Sequence, residues 1–485
     1  MKRINFGIIF RILGILLCIG AAFLFLPTAM SFYYDEPEQW MFLLSASATL
    51  AIGATLAITL RHHRAINDRR EGILIGVGAW LTFTVVGMLP FLGIGTSLPD
   101  AVFETISGLT TTGATIYEDI DSLPHGILLW RSLLHWIGGI GIIVFTVALL
   151  PMLNHRGGML LFSNEVSGMG QEKLTPRINQ TALRLWLCYL VLTIIITLLL
   201  YAGPMDLFDA VNHAFATIST GGFSTRQASI AYYNSPYIEY VITLFSFVGG
   251  LNFAILYNTI FHNHTRLFKA EQIRWYAGIV VAASVVITAG LFIKGEYATI
   301  EECFRKAIFQ VTTIITTTGF STADYITWGT FYTLLLMLLM FFGGCGGSTS
   351  GGAKIDRMVI LAKHARNELY RVLHPNAIRP VIYNGKVLPQ EIVSKVLSFT
   401  VFYVLTWVCG AVLLSITGVT LGEAVGCALT CLSNVGPGLG VAGPSGTFAP
   451  LPDIAKWILS AMMLIGRLEI FTALIIFTPM FWRNS

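Results

Sequence analysis

The sequence predicts an all-α polytopic membrane protein. Four pseudo-symmetric helix–re-entrant loop–helix repeats surround one axis, and two extra transmembrane helices precede them. Three observations carry this reading. First, 55% of the 485 residues are hydrophobic and only 12% are charged, about half the charged share of a soluble domain, and the mean hydropathy is +0.71. Second, the apolar residues gather into ten runs, most of them close to the roughly 20 residues that cross a bilayer. Third, a threonine/glycine motif returns four times between those runs. The composition excludes a disordered chain, a disulfide scaffold and a cytosolic enzyme.

The runs lie near 8–32, 39–60, 73–95, 128–152, 182–203, 237–261, 276–293, 328–345, 395–417 and 455–481. Each is expected to be a helix, because backbone polar groups in lipid must pair within their own segment. The first run follows Lys2 and Arg3 as a signal peptide would, but no clear small-residue cleavage site ends it, so it reads as a retained span. Residues 1–72 form the N-terminal pair. The repeats occupy 73–180, 181–272, 273–392 and 393–485.

Lysine and arginine gather in the N-terminus, 61–72, 153–184, 262–274 and 354–395, and acids dominate the alternate loops. The positive-inside rule then places the N-terminus and the basic loops in the cytoplasm. An acidic outer face concentrates cations, although acids also remain wherever bases are excluded. Segment 354–395 carries Lys354, Arg357, Lys363, Arg366, Arg371, Arg379, Lys386 and Lys395. Contact with anionic membrane lipid and docking of a regulatory protein both fit it. The net charge of +4 gives no sign of a nucleic-acid partner.

The four motifs align on Gly113, Gly222, Gly319 and Gly436. Twelve residues upstream stand Ala101, Ala210, Ala307 and Ala424. Three residues upstream stand Thr110, Ser219, Thr316 and Ser433. Agreement away from the anchors argues for a true internal repeat. Each unit reads as helix, short amphipathic helix, glycine turn, helix. A short helix of ten to twelve residues covers about half a membrane at ~1.5 Å per residue, so it must dip in and return.

Four such turns around one axis form an ion pore. Glycine permits backbone angles that turn carbonyls toward the axis, and rings of carbonyls replace a cation's hydration shell in potassium-channel filters. The candidate ion-binding residues are Thr111, Thr112 and Gly113; Thr220, Gly221 and Gly222; Thr317, Thr318 and Gly319; and Asn434, Val435 and Gly436. The hydroxyls beside the glycines either add ligands or pin the turns. The C-terminal ends of the short helices favour a cation. Close helix packing is the competing use of Gly, Ser and Thr in membranes; four motifs in register favour the filter.

These turns resemble the TrkH/TrkG/KtrB superfamily of potassium uptake transporters. The resemblance rests on the four Thr/Gly turns, on Gly-Phe-Ser-Thr at Gly222–Thr225 and Gly319–Thr322, and on Ser433 through Gly438. It runs over essentially the whole chain and implies K+ as the transported ion, passing through a bacterial inner membrane. It also implies a homodimer and a TrkA-like cytosolic nucleotide-binding subunit that opens the pore. Repeat one lacks the Phe, and repeat four has Asn434-Val435, so the filter is pseudo-fourfold.

Two further features match. Gly343, Gly344, Gly346, Gly347, Gly351 and Gly352 interrupt what should be the second helix of repeat three. So many glycines break a helix, and the resemblance makes this stretch an intramembrane gating loop. Its faint likeness to a phosphate loop fails, since no Gly-Lys-Ser/Thr is present and no strand precedes it. Arg467 stands about twelve residues into the last helix, where a charge is costly unless it meets water or a partner. The resemblance makes it part of the gate. An ion pair with Glu469 is disfavoured, because i and i+2 face different sides of a helix.

Other constellations read as structural. Arg131 and His135 read as caps near the outer surface, and His213 as a packed side chain. His62, His63, His262 and His264 lack partners at metal-ligand spacing. The seven cysteines form no C-x-x-C pair. A proton- or sodium-coupled symporter remains the alternative, opposed by the few ionisable residues in the spans. A membrane enzyme would need a nucleophile and base, or metal ligands, which the spans do not offer.

Overall fold

The computed structural model describes residues 4–63, 69–149, 178–261 and 266–482. Lys2, Arg3, Arg156, Lys173, Arg177, His262 and His264 lie outside the described residues. Helices Phe6–Tyr33, Gln39–Thr59, Arg70–Gly93, Leu183–Tyr201, Glu271–Lys294 and Gln390–Ile416 are long and apolar enough to cross a bilayer. His125–Leu149 is a further helix of 25 residues.

Three of the apolar runs are not continuous helices: the glycines at 343–352 break one, as the sequence predicts, and two further breaks are corrections to it. Run 237–261 bends by 102° between Pro236–Gly249 and Phe253–Phe261. Asn252 sits in the break, and its Oδ1 accepts from the N–H groups of Ala254 and Ile255, which starts a new helix. Run 328–345 stops after Phe342, because Gly343 turns left-handed at φ 71°. Run 455–481 breaks after Asp453–Arg467 at Glu469, a non-glycine residue at φ 60°. The mean hydropathy of each run does not show where it breaks, because each run is apolar as a whole.

The short helices are Leu98–Leu109, Leu207–Ile218, Ile300–Ile315 and Leu421–Ser433. All four start alike. Ser97, Asp206, Thr299 and Thr420 cap them, each accepting from the N–H three residues on, and that third residue is Asp100, Asp209, Glu302 or Glu423. Such a cap contributes about 1 kcal/mol, and the acid complements the helix dipole. The aligned alanines Ala101, Ala210, Ala307 and Ala424 are all 0% exposed. The repeat is therefore a packing register as well as a sequence one. The third helix has 16 residues against 12, 12 and 13, so its acid sits one turn further from the anchor.

The repeats close on themselves. Leu98–Leu109 packs against Asp453–Arg467, so the last repeat meets the first. Of the N-terminal pair, Phe6–Tyr33 packs against Arg69–Gly87 and His125–Leu149, and Gln39–Thr59 packs on it. Its two helices cross closely where Gly14 meets Leu56 and Gly53 meets Leu17. After the glycine stretch the chain forms helix Ile355–Leu373 and a two-stranded hairpin pairing Ile382 with Val387 and Tyr383 with Lys386. The hairpin is held to helix Glu271–Lys294: Asn384 N–H donates to Glu271 Oε2 (3.1 Å), and Glu271 N–H donates to Asn384 Oδ1 (2.8 Å).

Candidate functional site

Each short helix ends in the same Schellman turn. The residue two before the anchor glycine is left-handed: Thr111 at φ 55°, Thr220 at 57°, Thr317 at 58° and Asn434 at 57°. The next N–H donates back across the turn: Thr112 to Ser107 O, Gly221 to Ala216 O, Thr318 to Thr313 O and Val435 to Thr430 O, at 2.7–2.9 Å. Glycine usually holds the left-handed place. A β-branched residue there is strained, and here three threonines accept it. The anchors are left-handed again: Gly113 at φ 78°, Gly222 at 83°, Gly319 at 78° and Gly436 at 101°.

The four turns interlock. A methyl group on Gly113 would overlap the carbonyl oxygen of Gly221. One on Gly222 would overlap Thr318 O, one on Gly319 Val435 O, and one on Gly436 Thr112 O. The contacts run one way round and close: one on two, two on three, three on four, four on one. The carbonyls of residues 112, 221, 318 and 435 thus share one ring. All four anchors line a single cavity of about 70 Å³.

Side chains pin this ring. Thr110 and Thr316 hydroxyls each donate to the carbonyl four residues back and pair with Thr112 and Thr318. Ser219 donates to Phe215 O, and Ser433 pairs with the Tyr403 hydroxyl at 2.7 Å. Asn434 Nδ2 donates to Thr112 Oγ1 and Met463 O, both at 3.0 Å, and so ties repeat four to repeat one. The hydroxyls three before the anchors therefore brace the turns. Val435 is fully buried.

The glycine stretch lies directly against the ring. Gly351 N–H donates to Thr317 Oγ1 (2.7 Å), and Thr220 Oγ1 donates to Thr349 Oγ1 (3.3 Å). Thr349 Oγ1 donates to Ile218 O and Gly249 O, both at 3.1 Å. Cys345 N–H donates to Gly250 O, and Asn252 Nδ2 to Gly346 O. Gly343 and Gly352 cross where neither admits a side chain, so the stretch is a closed loop. Gly344 packs on Gly250 O, and Gly347 packs on Asn252.

Arg467 occupies the C-terminal end of a broken helix, not the middle of an intact one. It donates to Thr349 O and Gly138 O, both at 2.8 Å. Glu469 pairs instead with Arg357, at 2.6 Å. At the far end of the loop, Asp356 Oδ2 accepts from Gly346 N–H (2.7 Å) and Oδ1 from the Tyr383 hydroxyl. The hairpin is thereby joined to the loop. Burial and the Asp356 charge push the Tyr383 phenol far up, so it stays a donor.

With this geometry in place, the chain can be set beside known proteins. The family model for TrkH, a cation transport protein, matches residues 37–484. The chain belongs to the TrkH family. Trk system potassium uptake protein TrkH from Escherichia coli strain K12 is 39% identical over 485 residues, 99% of this chain and 100% of that protein. TrkG from the same strain is 34% identical over 100% of both chains. The crystal structure of the potassium transporter TrkH from Vibrio parahaemolyticus matches with a TM-score of 0.90 at 36% identity, covering 99% of this chain and 100% of that one.

Within this TrkH-family fold, buried ion pairs stand behind the ring where sequence reading found few charges. Arg131 and His135 are not surface caps. Arg131 is 1% exposed and pairs with Glu104, 0% exposed, at 2.8 Å. His135 Nδ1 donates to Gly108 O (2.7 Å), and its Nε2 accepts from Phe223 N–H (3.1 Å). Glu239 holds both Arg305 (2.7 Å) and Lys306 (2.8 Å), and Lys306 also donates to Thr322 O. Asp209 holds Arg226, Thr225 and Tyr233. His213 is packed and bonded to Asp209 O and Ser224 Oγ, as expected. The i, i+4 spacing of Arg131 and His135 was the available signal. Their depth was hidden because the loop before them folds inward.

Proposed function

We propose that the chain is a potassium-selective uptake pore of a bacterial inner membrane, multi-pass with its N-terminus in the cytoplasm. The carrying observation is the closed ring, in which each anchor glycine lies against the next repeat's carbonyl. Carbonyls of residues 112, 221, 318 and 435 replace water around K+ without placing a formal negative charge in the membrane. In the same turns, Thr111 Oγ1 and Asn434 Oδ1 are buried with no partner among the described residues.

The loop Gly343–Gly352 is the gate, and Arg467 latches it in the described arrangement. Its charged hydrogen bond to Thr349 O, with a second to Gly138 O on helix His125–Leu149, ties the loop under the ring, and its charge repels cations until it moves. The relatives' names supply potassium as the ion. A TrkA-like nucleotide-binding subunit acting on the basic segment 354–395, and a homodimer with one pore per protomer, fit the same reading. Transport is passive: Glu104, Asp209, Glu239 and Asp356 are each committed to cations or hydrogen bonds, which supports a pore over a coupled symporter. Liposomes holding the purified chain, given Rb+ or Na+ without a proton gradient, test this. Rb+-preferring flux is expected; flux appearing only with a proton or sodium gradient overturns the passive pore.

A further inference from the structure

We propose that Arg131 is a positioning residue for ion discrimination, setting the spacing of the repeat-one and repeat-two turns; this rests on the filter reading above. Its guanidinium reaches both turns at the same register. Nη2 donates to Thr115 Oγ1 and Nη1 to Ser224 O, both at 3.1 Å. Thr115 and Ser224 each stand two residues after their anchors, Gly113 and Gly222. The fork therefore measures the gap between neighbouring repeats.

Glu104 fixes the guanidinium. Its Oε1 accepts from Arg131 Nε (2.8 Å) and Thr115 Oγ1 (3.1 Å), and its Oε2 accepts from Ile116 N–H (3.0 Å). The guanidinium also lies 4.2 Å from the Phe223 ring centroid. One turn further along the same helix, His135 stacks on Phe223 and holds its N–H. Arg131 lines the cavity shared by the four anchors, so a cation approaching the ring meets this charge unless Glu104 balances it.

No other repeat has this brace among the described residues. Gly138 presses on Leu109 O and Gly466 on Leu432 O, and Gly249 lies in ordinary contact with the aligned Ile218 O, so the second helices share one register against the short helices. Seven residues before them stand Arg131, Ile242 and Leu459, all buried. Nine residues before the anchors stand Glu104, His213, Gln310 and Cys427. Only repeat one joins an acid to a base at these places. Glu239 with Arg305 and Lys306 braces the repeat-three turn at Thr322 O alone, whereas the Arg131 guanidinium joins two turns at one register.

The test compares Rb+ and Na+ flux in liposomes for R131K, the neutral pair E104Q/R131Q, and G319A as a filter control. Lysine keeps the charge but is a point donor that cannot bridge both turns. Loss of one positioning hydrogen bond, ~1 kcal/mol, predicts a roughly fivefold fall in Rb+ over Na+ preference in R131K and in the pair. A merely structural role lowers both fluxes together and leaves their ratio alone. The pair strands no buried charge, so it assembles where a single neutralisation does not. Wild-type preference in R131K and in the pair, with preference lost in G319A, overturns the brace alone. Wild-type preference in G319A as well overturns the filter reading beneath it.

Discussion

The ring of turns and the loop beneath it are both glycine-rich, yet they hold their shape by different means. In the ring, each glycine faces a neighbour's backbone and each turn is closed by its own short-range hydrogen bonds. The same construction is made four times. In the loop, shape comes from distant partners: Gly250 O, Asn252, Thr317, Asp356 and Arg467 each hold one point. Removing one tether from the loop releases it locally, whereas adding one atom to the ring disturbs four repeats. A selective element needs the first kind of stability and a moving element the second.

The largest expected effect is at the ring. Gly319→Ala combines a left-handed backbone with overlap on Val435 O, together costing several kcal/mol locally. Rb+ over Na+ preference should fall by at least about tenfold, ~1.4 kcal/mol of discrimination. Retained preference would mean that the ring is packing and not filter. Next is Arg467→Ala, which removes a charged hydrogen bond to the loop at Thr349 O and a second to Gly138 O on helix His125–Leu149, each worth about 1.5–3 kcal/mol. Basal Rb+ flux should rise about tenfold or more with preference intact. A fall in flux would make Arg467 a support of the open path rather than a latch.

This contrast also decides what is readable without coordinates. The ring is legible because its information is local and repeated: an alanine, a hydroxyl and a glycine recur at fixed offsets, and all three prove structural. The capping pattern of Ser97, Asp206, Thr299 and Thr420 was equally available, but the extra turn in the third helix moves its acid out of register. The loop is legible only as an interruption. Its tethers come from three repeats, and nothing local to Asn252 or Asp356 announces them. The breaks at Leu251 and Glu469 lie inside runs whose overall hydropathy suits a single span. The Glu104–Arg131 pair is hidden because burial of charge depends on a partner 27 residues away.

A smaller effect separates the loop from the hairpin that reaches it. Tyr383→Phe removes the hydroxyl that donates to Asp356, while the Gly346 N–H bond to the other carboxylate oxygen remains. One hydrogen bond is worth about 0.5–1.5 kcal/mol net, so basal flux should rise only a few-fold and preference should not change. An effect as large as that of Arg467→Ala would make the hairpin the principal restraint on the gate.

The smallest effect lies at the scaffold shared by all four turns. Thr420→Ala removes the cap of the last short helix, where Thr420 and Glu423 bond reciprocally. The expected cost is about 1 kcal/mol, seen as a lower melting temperature in detergent. The substitution sits at the exposed start of the helix, with the buried Ala424 and the rest of the short helix between it and Val435 and Gly436. If the turns define themselves through their own closing bonds, the Rb+ to Na+ ratio stays at the wild-type value while stability drops. A changed ratio would mean that strain passes along the short helix into the ring, and that ring and scaffold are one mechanical unit.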